Sequence, residues 1–126
     1  MAVIHYITQI QFDFGALSTL PAECERIGIR RPLVCTDRGI VAAGLLDRLQ
    51  AALGGLDAAV YDGTPPNPTE AAVREAVGVY REHRADGLIA LGGGSSIDLA
   101  KGVAIAATHD GPLTRYATIE GGSPRI

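Results

Sequence analysis

Three glycines and two serines separate a strand-like apolar segment from a helix-like one in ALGGGSSIDLAKGVAIA, residues 90–106. Because Gly92, Gly93 and Gly94 carry no Cβ, a pyrophosphate can approach their backbone closely and positive φ angles cost little. Ser95 is placed to cap the following helix and to donate its hydroxyl to a phosphate oxygen. Free amides at a helix start also attract an anion. The stretch predicts a phosphate cradle, with a flexible linker or a tight strand–helix turn as the alternative.

Neither common glycine-rich nucleotide motif fits this loop. A GxGxxG fingerprint requires glycine where Ile97 stands, and a P-loop requires GK[ST]. The helix that follows is apolar nearly all round, which predicts that it is buried. Asp98 and Lys101 interrupt it three residues apart. They allow either an ion pair along the helix or, for Asp98, contact with a ligand.

Two polar residues follow two other predicted strands. Asp37 ends the segment PLVCTD, where a carboxylate can accept hydrogen bonds from ribose hydroxyls and repel a 2′-phosphate. Asn67 lies in TPPNPT, where three prolines stiffen the turn and hold the amide at the same sheet edge. Together with the glycine loop they predict a dinucleotide, NAD rather than NADP. A helix cap at Asp37 and a plain rigid turn at Asn67 are the alternatives.

Strand-like and helix-like segments alternate along the chain with short connections. The predicted strands are 31–37, 57–62 and 86–94, and the predicted helices are 16–29, 39–53, 69–84 and 95–109. One or two extended segments, or a hairpin, are expected within residues 2–15, and residues 110–126 are expected to be irregular. The alternation predicts an α/β fold whose parallel sheet is covered by helices on both faces.

Composition narrows the class of protein. A chain of 126 residues with 47% hydrophobic residues is sufficient for one domain with a core. A net charge of −3 without a basic cluster argues against a nucleic-acid partner. The sequence has no secretory signal and no apolar run of about 18 residues, which argues against a membrane partner. Cys24 and Cys35 form no CxxC motif and indicate free thiols in a reducing cytoplasm.

These motifs resemble the iron-containing (group III) alcohol dehydrogenase family over almost the whole chain. FDFGALSTL resembles the family opening FGxGAL…L, although Asp13 stands where glycine is usual. VCTDRGIVAAGLLDRL resembles its TD…GLLD segment, and YDGTPPNPT resembles its PNPT turn. ALGGGSSIDLAKGVA resembles the specific signature GGGSxIDxAK.

The resemblance implies that residues 1–126 are the N-terminal dinucleotide-binding domain of a longer protein. It implies a Rossmann-like parallel sheet with an N-terminal β-hairpin or exchanged strand. The family's C-terminal helical domain, which holds Fe or Zn through one aspartate and three histidines, is absent from this chain. The implied cofactor-binding residues are Asp37, Asn67, Gly92, Gly93, Gly94, Ser95 and Asp98.

No catalytic residue or metal ligand is expected within the chain. His5, His83 and His109 are far apart and have no ligand spacing. His83 lies at a polar helix end and is expected to be solvated.

The predicted function is the cofactor-binding half of a metal-dependent NAD alcohol dehydrogenase, which reversibly oxidises an alcohol to an aldehyde or ketone. The chain alone is expected to be inactive, and the resemblance implies a homodimer formed through N-terminal strands. A maleylacetate reductase-type carbonyl reductase of the same family shares these motifs. A stand-alone, non-catalytic nucleotide-binding module is the alternative from a different class.

Overall fold

A three-stranded parallel sheet organises the computed structural model, which describes residues 9–117. Its strands are β1 (Pro32–Cys35), β2 (Ala59–Tyr61) and β3 (Gly87–Ala90), in the order β2-β1-β3. The helices are α1 (Leu20–Ile27), α2 (Arg38–Ala42), α3 (Leu45–Leu53), α4 (Glu70–His83) and α5 (Gly94–Thr108). Two 3-10 helices span Ala16–Thr19 and Leu113–Tyr116. The predicted α/β, Rossmann-like fold class is confirmed.

The central strand β1 is buried on both faces of the sheet. Leu33 and Cys35 belong to the apolar cluster formed with α4 and α5. Val34 belongs to the cluster formed with α1 and α3. Since successive side chains of a strand point to opposite faces, this alternation places one pair of helices on each face.

The strand order creates a switch point in the sheet. The connection from β1 to β2 runs through α2 and α3 on one face, whereas α4 carries the chain from β2 across to β3 on the other. The first connection leads from β1 to the strand on one side of it, and the second leads past β1 to the strand on its other side. In open parallel sheets this reversal opens a crevice beyond the carboxyl ends of the adjacent strands, here β1 and β3.

Two predicted helices differ from the observed ones, and left-handed glycines set an end of each. The helix expected over 39–53 is interrupted at Gly44, whose φ of 79° ends α2 before α3 begins. The helix expected over 16–29 starts as a 3-10 turn, becomes α-helical at Leu20–Pro21, and ends at Gly28 with a φ of 80°. Left-handed glycines are common helix terminators because they carry no Cβ.

The terminal segments were predicted only in part. Of the extended segments expected within residues 2–15, residues 9–15 form no strand, and residues 1–8 lie outside the described residues. Phe12 and Phe14 are fully exposed there. In the segment expected to be irregular, Leu113–Tyr116 forms a 3-10 helix, and residues 118–126 are not described.

The amino edge of the sheet is fastened by one carboxylate. Asp86, just before β3, accepts hydrogen bonds from the backbone amides of Arg30 at 3.0 Å and Arg31 at 2.8 Å. Burial acts to raise the pKa of Asp86, but the amide donors of Arg31 and Arg30 outweigh it and hold the pKa below its ordinary value. The charged carboxylate therefore joins the segment before β1 to the segment before β3.

A second network at this edge involves the side chain of Arg31. Its Nη2 donates to the carbonyl of His83 at 2.7 Å, and its Nη1 pairs with Asp57. His83 Nε2 lies 2.7 Å from the carbonyl oxygen of Asp57. The His83 side chain is 16% exposed, so the expectation that it is solvated was wrong. The neighbouring backbone carbonyl gives it a partner inside the network.

We expect Asp86→Asn to lower the free energy of unfolding by about 1 kcal/mol near neutral pH, because a charged acceptor of two amides is lost. The native pKa is depressed, so this stabilisation is present above the unfolded-state pKa and is lost as pH falls through the native value. Urea unfolding as a function of pH measures it. Glu82→Gln, which neutralises an exposed carboxylate on α4, is the control. A stability difference that stays constant down to acidic pH would contradict the expectation.

Candidate cofactor-binding site

A cleft of about 510 Å³ lies at the carboxyl edge of the sheet. It is lined by residues 37–39 after β1, residues 62–66 after β2, and Ser95 in the first turn of α5. The segments that follow the three strands thus contribute to one concave surface. This is the position at which open parallel sheets bind ligands.

Thr36, directly after β1, holds the three segments together. Its amide donates to the carbonyl of Tyr61 at 2.8 Å and its hydroxyl to the carbonyl of Leu91 at 2.8 Å. Its own carbonyl accepts from the amide of Thr64 at 3.3 Å. Thr36 is completely buried, so these bonds are shielded from water. The sequence reasoning missed this residue, whose signal was a hydroxyl at the end of a buried strand.

Asp37 caps a helix, which is one of the two roles that the sequence left open. Its Oδ1 accepts a hydrogen bond from the Ile40 amide at 2.9 Å and so caps α2. The residue also lines the cleft, and its backbone forms an antiparallel bridge with Gly63. Its Oδ2 makes no hydrogen bond with the described residues. One carboxylate oxygen therefore orders the helix, while the other is available to a ligand.

The glycine loop has one structural glycine and two that face open space. Gly92 has a φ of 141°, and a Cβ there would lie 2.9 Å from the hydroxyl oxygen of Ser96, so a side chain is strained. A Cβ on Gly93 or Gly94 would meet no atom within 4 Å. The space above these two residues would accommodate a phosphate.

The start of α5 leaves amides available to that space. The bond from Ile97 N to Gly93 O, at 3.2 Å, is the first of the helix. The amides of Gly94 and Ser95 precede it and have no intrahelical acceptor, whereas Ser96 is completely buried. Amides in this position, with the positive end of the helix dipole, attract anions.

Ser95 differs from its prediction. Gly93 is the N-cap of α5, so the expected capping role of Ser95 was wrong. The Ser95 hydroxyl instead donates to the carbonyl of Pro66 and ties the glycine loop to the proline turn. Donation of this hydroxyl to a phosphate stays a prediction and would require the bond to Pro66 to be released.

The structure brings only some of the predicted site residues together. Asp37 and Ser95 line the cleft; the other predicted residues, Asn67, Gly92, Gly93, Gly94 and Asp98, are exposed and do not line it. The possible ion pair between Asp98 and Lys101 is not among those of residues 9–117. Ile97, beside Asp98, is 43% exposed, so the expectation that α5 is buried all round was wrong. No described element covers that face.

Among the cleft residues that were not predicted, three have polar or charged side chains. Arg38 and Asp62 follow β1 and β2 and are exposed. Thr64 is 8% exposed, and its hydroxyl oxygen has no hydrogen-bond partner in the described part of the chain. The sequence signal was present in each case, because each residue lies within three positions of the end of a strand.

The described residues provide no metal centre. Within residues 9–117 no group of three or more His, Cys, Asp or Glu side chains is placed to hold a metal ion. No helix in the same range is long and apolar enough to cross a bilayer.

Comparison with known proteins identifies the family. The model of the iron-containing alcohol dehydrogenases matches residues 8–125, so the chain belongs to that family. The resemblance noted in the sequence is thereby confirmed.

Individual relatives carry dehydrogenase activities. The chain is 66% identical to a 4-hydroxybutyrate dehydrogenase of Cupriavidus necator over all of its own length and 33% of the relative. It is 38% identical to a 1,3-propanediol dehydrogenase of Klebsiella pneumoniae, over 86% of the chain and 29% of the relative. The chain thus spans about a third of the length of these curated relatives.

A solved structure shows the same architecture. The NADH-dependent butanol dehydrogenase A of Thermotoga maritima superposes with a TM-score of 0.80 at 31% identity. The superposition covers 92% of this chain and 30% of that one.

Both cysteines are free and buried. Burial raises the pKa of Cys35, two residues before Asp37, to about 12. Burial, followed by the nearby charges of Asp86 and Glu23, raises the pKa of Cys24. Since the thiolate is the nucleophile, neither cysteine is suited to reaction near neutral pH.

We therefore expect the native chain to resist iodoacetamide at about pH 8, because little thiolate forms and access is blocked. Mass spectrometry after timed alkylation measures this, with a urea-unfolded sample as the reference in which both thiols react. Labelling of Cys35 in the native chain at the unfolded rate would contradict the buried position.

Proposed function

We propose that this chain is the cofactor-binding part of an NAD-dependent, metal-dependent alcohol dehydrogenase, which reversibly oxidises an alcohol to an aldehyde or ketone. The observation that carries the proposal is the cleft at the switch point of the sheet. There Asp37 from the end of β1 and Ser95 from the glycine loop line one concavity. Membership of a family of alcohol dehydrogenases supports the same assignment.

The arrangement fits a dinucleotide in two places. The open space above Gly93 and Gly94, with the free amides at the start of α5, would take the pyrophosphate. The unpaired Oδ2 of Asp37 would accept a hydrogen bond from a ribose hydroxyl. When bound, NAD supplies the hydride acceptor. The described residues bind and orient it.

Three further predicted residues act beside this core. Gly92 gives the loop its turn, since a side chain there would collide with Ser96. We assign Asn67, on the proline turn, to the rim of the cofactor cleft. We place Asp98, in the first turns of α5, near the same anion site.

The Fe or Zn of the proposed enzyme has no fitting ligand group among residues 9–117. We therefore derive no chemical step through a metal from these residues. We infer that the catalytic group and the substrate pocket belong to parts of the enzyme other than those described, so that residues 9–117 bind cofactor without turnover.

The substrate proposal follows the relatives. Because the chain is 66% identical to a 4-hydroxybutyrate dehydrogenase, we propose a hydroxylated short-chain substrate. The first compound to test is 4-hydroxybutyrate. A maleylacetate reductase-type carbonyl reductase stays a proposal of the same class. A stand-alone nucleotide-binding module is a proposal of a different class.

Two properties of the whole protein belong to the same proposal. We infer a homodimer, since Ile10, Phe12 and Phe14 form an exposed apolar segment that pairing of N-terminal segments would cover. We infer a cytoplasmic location, because free buried thiols suit a reducing compartment.

The first test concerns the phosphate cradle. We expect Gly94→Val to weaken NAD⁺ binding about tenfold or more, because a branched side chain would occupy the space meant for the phosphate and block its amides. The chain should still fold, since this space is empty of protein atoms. Calorimetry or NMR titration with NAD⁺ measures the affinity.

Gly78→Val is the matched control for this substitution. Gly78 lies on α4, and a Cβ there also meets no atom within 4 Å. The control should bind NAD⁺ as the unmodified chain does. Unchanged affinity in Gly94→Val, with normal folding, would remove the cradle from the proposal.

The second test concerns the ribose. We expect Asp37→Asn to raise the affinity for NADP⁺ relative to NAD⁺ about tenfold, because it removes a negative charge that would face the 2′-phosphate. Asparagine keeps the side-chain oxygen that caps α2, so helix stability should change little. Asp37→Ala removes both the cap and the charge and separates the two effects. If the cofactor preference stays the same in Asp37→Asn, the residue does not contact the ribose.

A further inference from the structure

Two charged residues of opposite sign, Arg38 and Asp62, line the same cleft. They adjoin the antiparallel bridge between Asp37 and Gly63. Arg38 is the first residue of α2, and Asp62 directly follows β2.

The two side chains do not neutralise each other directly. In the described part of the chain, neither Arg38 nor Asp62 takes part in an ion pair or a side-chain hydrogen bond. Both heads are exposed at the cleft and are available to a ligand. This contrasts with Arg31 at the other edge of the sheet, whose guanidinium pairs with Asp57 and donates to the carbonyl of His83.

Tyr61 packs against Gly63, the residue that follows Asp62. Its hydroxyl contacts the carbonyl oxygen of Gly63 at 3.4 Å, and a Cβ on Gly63 would lie 2.9 Å from the tyrosine ring. Burial raises the pKa of Tyr61, the nearby Glu75, Cys35 and Asp62 raise it further, and Arg38 lowers it. Asp62 and Arg38 therefore both lie close enough to Tyr61 to act on its hydroxyl.

The charge of the cleft depends on Asp62. Asp37 and Asp62 supply two negative charges, and Arg38 supplies one positive charge. The lining is therefore net negative by one charge and would be neutral without Asp62. A 2′-phosphate carries nearly two negative charges at neutral pH, whereas a 2′-hydroxyl carries none.

We propose that Asp62 is a specificity-determining residue, which offsets Arg38 and keeps the cleft selective for a dinucleotide with a free 2′-hydroxyl. The proposal rests on the proposed function, because it assumes that a dinucleotide ribose occupies this cleft. Without Asp62, the positive charge of Arg38 would no longer be offset, so its guanidinium would bind a 2′-phosphate more strongly.

The test measures dissociation constants of NAD⁺ and NADP⁺ by NMR titration of the 126-residue chain and its variants. Asp62→Asn is expected to tighten NADP⁺ binding about fivefold to tenfold, with NAD⁺ changed less than about threefold. Adding Arg38→Gln to this variant is expected to abolish the gain. The gain should also shrink as salt is raised, because exposed charges are screened.

Glu82→Gln is the matched control, since it removes the same charge from an exposed residue near the C-terminal end of α4, away from the cleft. The proposal is overturned if Asp62→Asn changes the cofactor preference no more than this control does. It is also overturned if the gain persists without Arg38. If the unmodified chain binds neither NAD⁺ nor NADP⁺, the proposed function itself fails, and the inference fails with it.

Discussion

The complete burial of Thr36 is the constraint on which the site depends. Its amide, hydroxyl and carbonyl join the end of β1 to the segments that follow β2 and β3. A buried polar group that lost one of these partners would cost free energy, so the three segments are held in one arrangement. The positions of Asp37, Gly63 and the glycine loop follow from that junction. The cleft is therefore a property of the sheet edge rather than of any one loop.

Much of the fold and part of the candidate site were predictable because their signals in the sequence are local. The alternation of apolar strands and amphipathic helices gave the parallel sheet, and β1, buried on both faces, matched the continuous apolar run in its sequence. The glycine stretch and Asp37 were placed correctly at strand ends, because a strand's end can be read from where its apolar run stops. The interruption of the predicted helix at Gly44 could be foreseen only in part. A glycine inside an apolar helical pattern can be tolerated or can end the helix, and only the tertiary packing decides.

The rest depended on contacts between segments far apart in sequence. The acceptor of the Ser95 hydroxyl is the carbonyl of Pro66, 29 residues away. The presence of Arg38 and Asp62 in one cleft comes from a single bridge between Asp37 and Gly63, for which no periodicity exists. Asp37 showed a different kind of ambiguity, because a cap and a ligand-binding carboxylate look alike in sequence. The structure places the cap on Oδ1 alone, so the cap does not exclude a ligand at Oδ2.

The charged groups at the two edges of the sheet differ in their surroundings. Those at the amino edge bond to other parts of the protein and stabilise the fold, whereas those at the carboxyl edge line the cleft. At the amino edge, the Asp86 carboxylate accepts a hydrogen bond from the Arg31 amide, and the Arg31 side chain donates one to the carbonyl of His83. These short bonds hold together the segments that precede β1 and β3. At the carboxyl edge, Arg38, Asp62 and one oxygen of Asp37 have no hydrogen-bond or ion-pair partner among residues 9–117. The fold gains nothing from three unpaired polar groups held in one concavity, since each would be as well solvated elsewhere. The proposed function gives these groups a purpose, because a dinucleotide carries hydroxyl and phosphate groups together.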